Sequence, residues 1–228
     1  MTIRCVLLDF GGTLDCPGVH WSTRFADAFL ACGLQVDRPS LDRAFFESDR
    51  RLAALPQIAR LDLLAHVRAQ SRFILEELRL DPSRAAAIAW AFLESTSTHL
   101  ARSRSALKHH ASRFRFGLVS NFSPNLGLIL RDAGLADLFS AVVVSSLAGH
   151  SKPELAIFER ALRDLDGNAS EAAMVGDSLR ADIAPAKRLG LATVWVRGDE
   201  SRDDGECAAA DYVVKDVAEA LAALAVVP

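Results

Sequence analysis

What most limits the fold of this chain is a change of rhythm. Beyond His110, short apolar runs recur between helix-like stretches: Arg115 to Ser120, Ala141 to Ser145, Ala172 to Val175, Thr193 to Val196 and Tyr212 to Val214. That alternation predicts a parallel sheet, because parallel neighbours need a long crossover and the crossover helices then cover both faces. One similar run, Ile3 to Leu8, stands far upstream and stops at Asp9, with Gly11-Gly12 just beyond. It reads as a buried strand of the same sheet that delivers a carboxylate to its carboxyl end. From His20 to about Leu100 the pattern is a 3.6-residue period rich in Ala, Leu and Arg, broken at Gly33, Pro39-Ser40, Pro56 and Asp81-Pro82. The expected architecture is an α/β, Rossmann-like core of residues 1–15 and 101–228, with an all-helical cap inserted at 16–100.

Composition narrows the class of partner. With 228 residues, half of them apolar, the chain can bury a core as one large domain or one domain with an insertion. The formal charge of −3 comes without any Lys/Arg block, which speaks against a nucleic-acid or anionic-membrane surface. Ten Arg balance ten Asp plus Glu within 16–100, so the insertion shows no preferred substrate charge. No apolar run approaches the roughly 18 residues of a membrane span, and Asp9 interrupts the first apolar stretch, so neither membrane nor export is expected. Cys5, Cys16, Cys32 and Cys207 lack metal-ligand spacing, which suits buried thiols in a reducing cytoplasm. Gly198 to Gly205 reads as a polar, mobile loop.

In open parallel sheets, ligands bind outside the carboxyl ends of the strands. Asp9 ends the first strand and Ser120-Asn121 the next; Gly149-His150-Ser151-Lys152-Pro153 forms a loop, and Val175-Gly176-Asp177 ends another strand, with Asp182 five residues on. Asp9 and Asp177 at neighbouring strand ends would repel unless a cation stood between them. Oxygen-only ligands select a hard ion such as Mg²⁺, which accepts one or two carboxylates together with a phosphate oxygen. The backbone N–H groups of Gly11 and Gly12, with Ser120, Asn121 and Lys152, would then receive a phosphoryl group, leaving Asp9 free to attack phosphorus.

The ordered set Asp9-Phe10-Gly11-Gly12-Thr13-Leu14, Ser120-Asn121, Lys152-Pro153 and Gly176-Asp177 with Asp182 resembles the four motifs of the haloacid dehalogenase (HAD) superfamily. The helical insertion lies where that superfamily carries its type-one cap. The resemblance implies Asp9 as nucleophile and metal ligand, Ser120 and Lys152 as holders of the phosphoryl group, and Asp177 as a Mg²⁺ ligand. It also implies a metal bond from the Gly11 carbonyl and a direct or supporting metal role for Asp182. Thr13 would brace the loop through local backbone. The substrate so implied is a small phosphorylated metabolite.

One position departs from the pattern. Phosphatases of the superfamily usually carry a general acid/base Asp where this chain has Gly11. Losing such a group costs about 10² to 10⁴ in rate unless the leaving group needs no proton or another residue, here Asp15 or His20, substitutes. Two other readings remain beside the phosphatase: a dehalogenase-like hydrolase, and a catalytically weak relative that binds or regulates. His20 and Trp21 open the insertion close to Asp9, and His150 stands beside Lys152, so all three are candidates to line the site. His66, His99 and the aromatic residues of the insertion are expected to be structural.

Overall fold

The computed structural model describes residues 2–198 and 210–226; Cys207 and the expected mobile loop from residue 199 onward lie outside them. The elements in order are β1 (Cys5–Leu8), α1 (Trp21–Ala31), α2 (Arg38–Ala53), α3 (Leu63–Glu77), α4 (Ala85–Leu93), α5 (Thr96–His110), β2 (Arg115–Ser120) and α6 (Leu126–Asp132). There follow β3 (Phe139–Val144), α7 (Ser145–Ala148), α8 (Leu155–Asp164), β4 (Ala172–Gly176), α9 (Ala184–Arg188), β5 (Ala192–Val196), β6 (Tyr212–Val214) and α10 (Val217–Ala225). Each run expected to be a strand is one.

All pairings are parallel, in the order β3-β2-β1-β4-β5-β6. This is the Rossmann order, with β1 central and the chain reversing its direction of travel between β1 and β4. β1 is buried along its length because its side chains alternate between two cores. Val6 and Leu8 join a core shared with α5, α6 and α10, whereas Cys5 and Leu7 join Ile157, Phe158 and Ala161 of α8 on the opposite face.

The inserted helices hold their own apolar side chains, Phe25, Phe29, Leu41, Phe45, Ile74 and Ile88, continuous with the first of those cores. The starts of α2 and α3 are set by side-chain caps. Asp37 accepts from the Ser40 N–H at 2.9 Å and Asp62 from the Ala65 N–H at 2.7 Å, contacts of a kind worth about 1 kcal/mol each. The expected domain limit at residue 100 falls inside α5, which is one continuous helix. The Ser103 hydroxyl donates to the Leu14 carbonyl at 2.9 Å and Leu107 is fully buried in the core, so this helix belongs to the sheet layer. Helical periodicity alone could not separate α5 from the helices before it.

Candidate active site

The Asp9 N–H donates to the Val175 carbonyl at 3.0 Å, carrying the β1–β4 ladder one residue past the strand. Its carboxylate therefore stands at the carboxyl edge of the sheet, at the reversal point, and Asp177 follows β4 at the same edge. Asp9, Asp177 and Asp182 each bring an oxygen within 4.8 Å of the others. Lys152, 5% exposed, places Nζ 2.8 Å from Asp9 Oδ1 and 2.6 Å from Asp182 Oδ1.

Two glycines make this convergence sterically feasible. Gly12 has φ +79°, and a Cβ there would collide with the Asp177 carboxylate. A Cβ at Gly176 would collide with Asp182. The Thr13 hydroxyl donates to Asp177 Oδ1 at 3.4 Å, so it braces a site carboxylate across the sheet and not the local backbone expected from sequence. Trp195 Nε1 donates to the Asp177 carbonyl at 2.9 Å and fixes that turn.

Three carboxylates against one ammonium leave the cluster short of positive charge. Burial pushes the Asp177 carboxyl well above the usual range, and repulsion from Asp9 and Asp182 pushes it further. Burial likewise lifts Asp182 to about 6, against the pull of Lys152. Burial by itself would lower Lys152, but the neighbouring Asp182 and Asp9 outweigh it and hold the ammonium above its ordinary value. Asp9 Oδ1 is buried and, although close to the Lys152 ammonium, meets no aligned hydrogen-bond donor. A buried carboxylate oxygen whose close cation is shared with Asp182, among further carboxylate oxygens, fits a hard divalent cation. Asp182 fits an outer role, since its Oδ1 takes Lys152 and its Oδ2 takes the Ser178 N–H at 3.1 Å.

Several expected donors have other duties. The Asn121 amide exchanges two bonds with the Lys152 backbone, donating to its carbonyl at 2.9 Å and accepting from its N–H at 2.8 Å. It fixes the Lys152 loop, and its side chain is spent there instead of on a phosphate. Ser120 stays at the end of β2 with 2% exposure. The Gly12 N–H is also spent, donating to Asp15 Oδ1 at 2.8 Å.

Both expected acid substitutes carry structural contacts. Asp15 is fully buried; its Oδ1 accepts from Gly12, while its Oδ2 accepts from Trp21 Nε1 at 2.7 Å and from the Arg24 guanidinium. It is the anchor of an ion pair. His20 caps α1, its Nδ1 accepting the Ser22 N–H at 3.1 Å, and its ring stands edge-on to Phe45. His150 lies on the surface beside Glu154, with half of its side chain exposed (50%).

Two further residues matter here: Arg24, which no motif marked, and His66, expected to be structural. Arg24 joins Asp15 to the Phe92 carbonyl (3.0 Å) and to the Thr96 hydroxyl, tying the loop after β1 to the insertion. His66 stacks on Phe122 with centroids 5.1 Å apart, and Asn125 Nδ2 lies 3.1 Å from its Nδ1. The same Nδ2 donates to the Leu61 carbonyl at 2.8 Å; that oxygen can only accept, which fixes the amide orientation. His66 Nδ1 is therefore an acceptor and the ring proton sits on Nε2. Burial lowers His66 to about 4, so the ring is neutral near pH 7.

The fold and site together define an α/β protein with an acidic, cation-seeking crevice at its topological switch point. A family profile described as haloacid dehalogenase-like hydrolase matches residues 3–190, and the chain belongs to that family of hydrolases. Among curated relatives, it is 44% identical over 92 residues to ribulose-1,5-bisphosphate 5-phosphatase of Halopiger xanaduensis (40% of this chain, 38% of that one). It is 35% identical over 152 residues to phosphoserine phosphatase of Thermus thermophilus (65% and 61%). It is 38% identical over 86 residues to glyceraldehyde 3-phosphate phosphatase of Pyrococcus abyssi (37% and 36%), so the matched stretches span between about a third and three fifths of these relatives. A HAD-hydrolase from Bacillus subtilis bound to magnesium shares the fold with TM-score 0.62 at 20% identity, covering 98% of this chain and 99% of that one. L-2-haloacid dehalogenase from Xanthobacter autotrophicus does so with TM-score 0.64 at 18% identity over the full length of both.

Proposed function

We propose that this chain is a phosphatase of small phosphorylated metabolites that works through a phosphoryl-enzyme on Asp9. The observation that carries the reading is the Asp9 carboxylate itself: buried at the switch point, 2.8 Å from a fixed ammonium, with Oδ1 lacking an aligned donor and two further carboxylates beside it. The phosphatase names of the curated relatives support it.

Asp9, Asp177 and the Gly11 carbonyl would hold a Mg²⁺ ion, with Asp182 behind them. Bound there, the ion supplies positive charge to the phosphoryl oxygens. Lys152 and the Ser120 hydroxyl orient the remaining oxygens, and Asn121 keeps Lys152 in place. An Asp9 oxygen attacks phosphorus while the bond to the leaving oxygen breaks. Water then attacks the same phosphorus, the bond to Asp9 breaks, and inorganic phosphate departs with the carboxylate regenerated. Asp182 holds Lys152 charged and aimed throughout.

The test is phosphate release from a panel of phosphate esters and anhydrides, with Mg²⁺ and with a chelator. Release that needs Mg²⁺ and falls at least about 10³-fold in Asp9→Asn is the expected result. Activity persisting in Asp9→Asn removes the nucleophile assignment. Chloride release from a 2-haloacid without metal, with no phosphate release, replaces the reading by the dehalogenase one. Phosphate binding without turnover replaces it by the binding-protein one.

A further inference from the structure

The loop after Asp9 is covered by rings. A side chain at residue 11 would point at Trp21: a Cβ there would lie 3.2 Å from the indole Nε1 and 3.3 Å from Cδ1. Trp21 is 7% exposed and cannot easily swing aside, because Nε1 is bonded to Asp15, itself held by the Gly12 N–H and by Arg24. Phe122, just past Ser120, stands edge-on to both Phe10 and Trp21 at 5.5 and 5.3 Å, and His66 covers it. The loops that end β1 and β2 therefore meet the insertion through an aromatic seal.

Asp15, Arg24 and His66 stand against the indole. Asp15 is committed to the Gly12 N–H, to Trp21 Nε1 and to the Arg24 guanidinium. Arg24 does not dissociate. Burial keeps His66 neutral, and Asn125 occupies the nitrogen that could take up a proton.

Resting on the phosphatase reading above, we propose that Trp21 is a specificity-determining residue: its ring, wedged against Gly11, denies this position an acidic side chain and restricts turnover to phosphoryl donors whose leaving oxygen departs unprotonated. Acyl phosphates and phosphates of acidic phenols are that class; phosphates of simple alcohols are not. Departure as an anion needs no acid, whereas an alkoxide leaving without one forfeits about 10² to 10⁴ in rate. The step balances either way, since the phosphorus–oxygen bonding pair leaves with the leaving oxygen and the carboxylate takes the phosphoryl group.

The experiment is a leaving-group series with Mg²⁺ throughout: acetyl phosphate, aryl phosphates from nitrophenol to phenol, and an alkyl phosphate, assayed on wild type, Trp21→Phe, Gly11→Asp and Gly11→Asp/Trp21→Ala. Wild type and Trp21→Phe, which keeps a ring, are expected to show kcat/KM falling steeply with leaving-group basicity, the alkyl ester lying at least about 10²-fold below acetyl phosphate. Gly11→Asp alone should keep that steepness, because the indole blocks its carboxylate. The double variant, with room for the acid, should gain about 10²-fold on the alkyl ester and little on acetyl phosphate. Wild-type rates on acyl and alkyl phosphates within about tenfold of one another would overturn the proposal, as would Gly11→Asp alone matching the double variant. Should the double variant fail to fold, Gly11→Asp against wild type remains the test, since an alkyl-ester rate raised about 10²-fold in Gly11→Asp alone would show that the indole does not exclude the acid. A flat series that still depends on Asp9 removes only the role of Trp21; no Asp9-dependent phosphate release from any member removes the phosphatase reading with it.

Discussion

Asp9 stands between two half-sites built on opposite principles. Toward β4 it faces charge, with Asp177, Asp182 and Lys152 brought together by glycines that let carboxylates press on backbone. On the insertion side, the loop that follows it meets Trp21, Phe122 and a neutral His66. The charged half is costly to assemble, since each carboxylate gives up water, and it repays that cost only with its cations in place. The aromatic half assembles favourably by burial and by ring contacts, each worth about 0.5 to 1.5 kcal/mol beyond area. An unfavourable half held beside a favourable one is how a fold keeps a reactive carboxylate ready, and each half answers differently to mutation, acid and metal.

The largest separation should come from removing the cation of the charged half. Lys152→Met leaves Asp182 and Asp9 buried against one another, and a loss of about 3 to 5 kcal/mol in denaturant unfolding without added metal is expected. A loss below about 1 kcal/mol would show that the carboxylates simply take up protons at no cost to the fold. Acid should next set the halves against each other. The lowered His66 stabilises the folded state fully above pH 6.5; that contribution drains away as pH falls toward about 4, because the unfolded chain binds the proton first. The raised Asp182 acts in the opposite sense and gains stability as pH falls below about 6. His66→Phe should therefore gain on wild type by up to about 3 kcal/mol between pH 6.5 and 4, read as the pH dependence of the stability difference. A difference that does not change with pH would place no titrating group at His66.

Metal should act on the charged half alone. At about a hundred times its dissociation constant, Mg²⁺ should stabilise the fold by about 2.7 kcal/mol, and this should shrink in Asp177→Asn but not in His66→Phe. The smallest effect concerns the joint between core and insertion. Asn125→Ala leaves the Leu61 carbonyl and His66 Nδ1 without their donor, at about 1 to 3 kcal/mol, with the metal response unchanged.

The charged half was legible in the chain and the aromatic half was not. Asp9, Ser120, Lys152 and Asp177 each sit at a strand end or in the loop beyond it, positions that periodicity and glycine punctuation mark within a few residues. Asp15 and His20 were offered as proton donors because they are near Asp9 along the chain. The structure makes one the anchor of an ion pair and the other a helix cap. What redirected Asp15 is Arg24, whose other partners, Phe92 and Thr96, lie 68 and 72 residues away. His66 likewise takes its protonation state from Asn125, 59 residues on. The limit at residue 100 fell inside α5 for the same reason, since only its docking against the sheet layer assigns that helix.

By itself the sequence determined the parallel sheet and the acidic crevice at its carboxyl edge, because a strand's period and the end at which it delivers a side chain are local properties of the backbone. Only the tertiary structure decided which carboxylate is spent on an ion pair, which imidazole stays neutral and which ring stands over Gly11. Those outcomes depend on burial and on partners brought from distant segments, and a desolvated group takes its charge and orientation from whatever it is packed against.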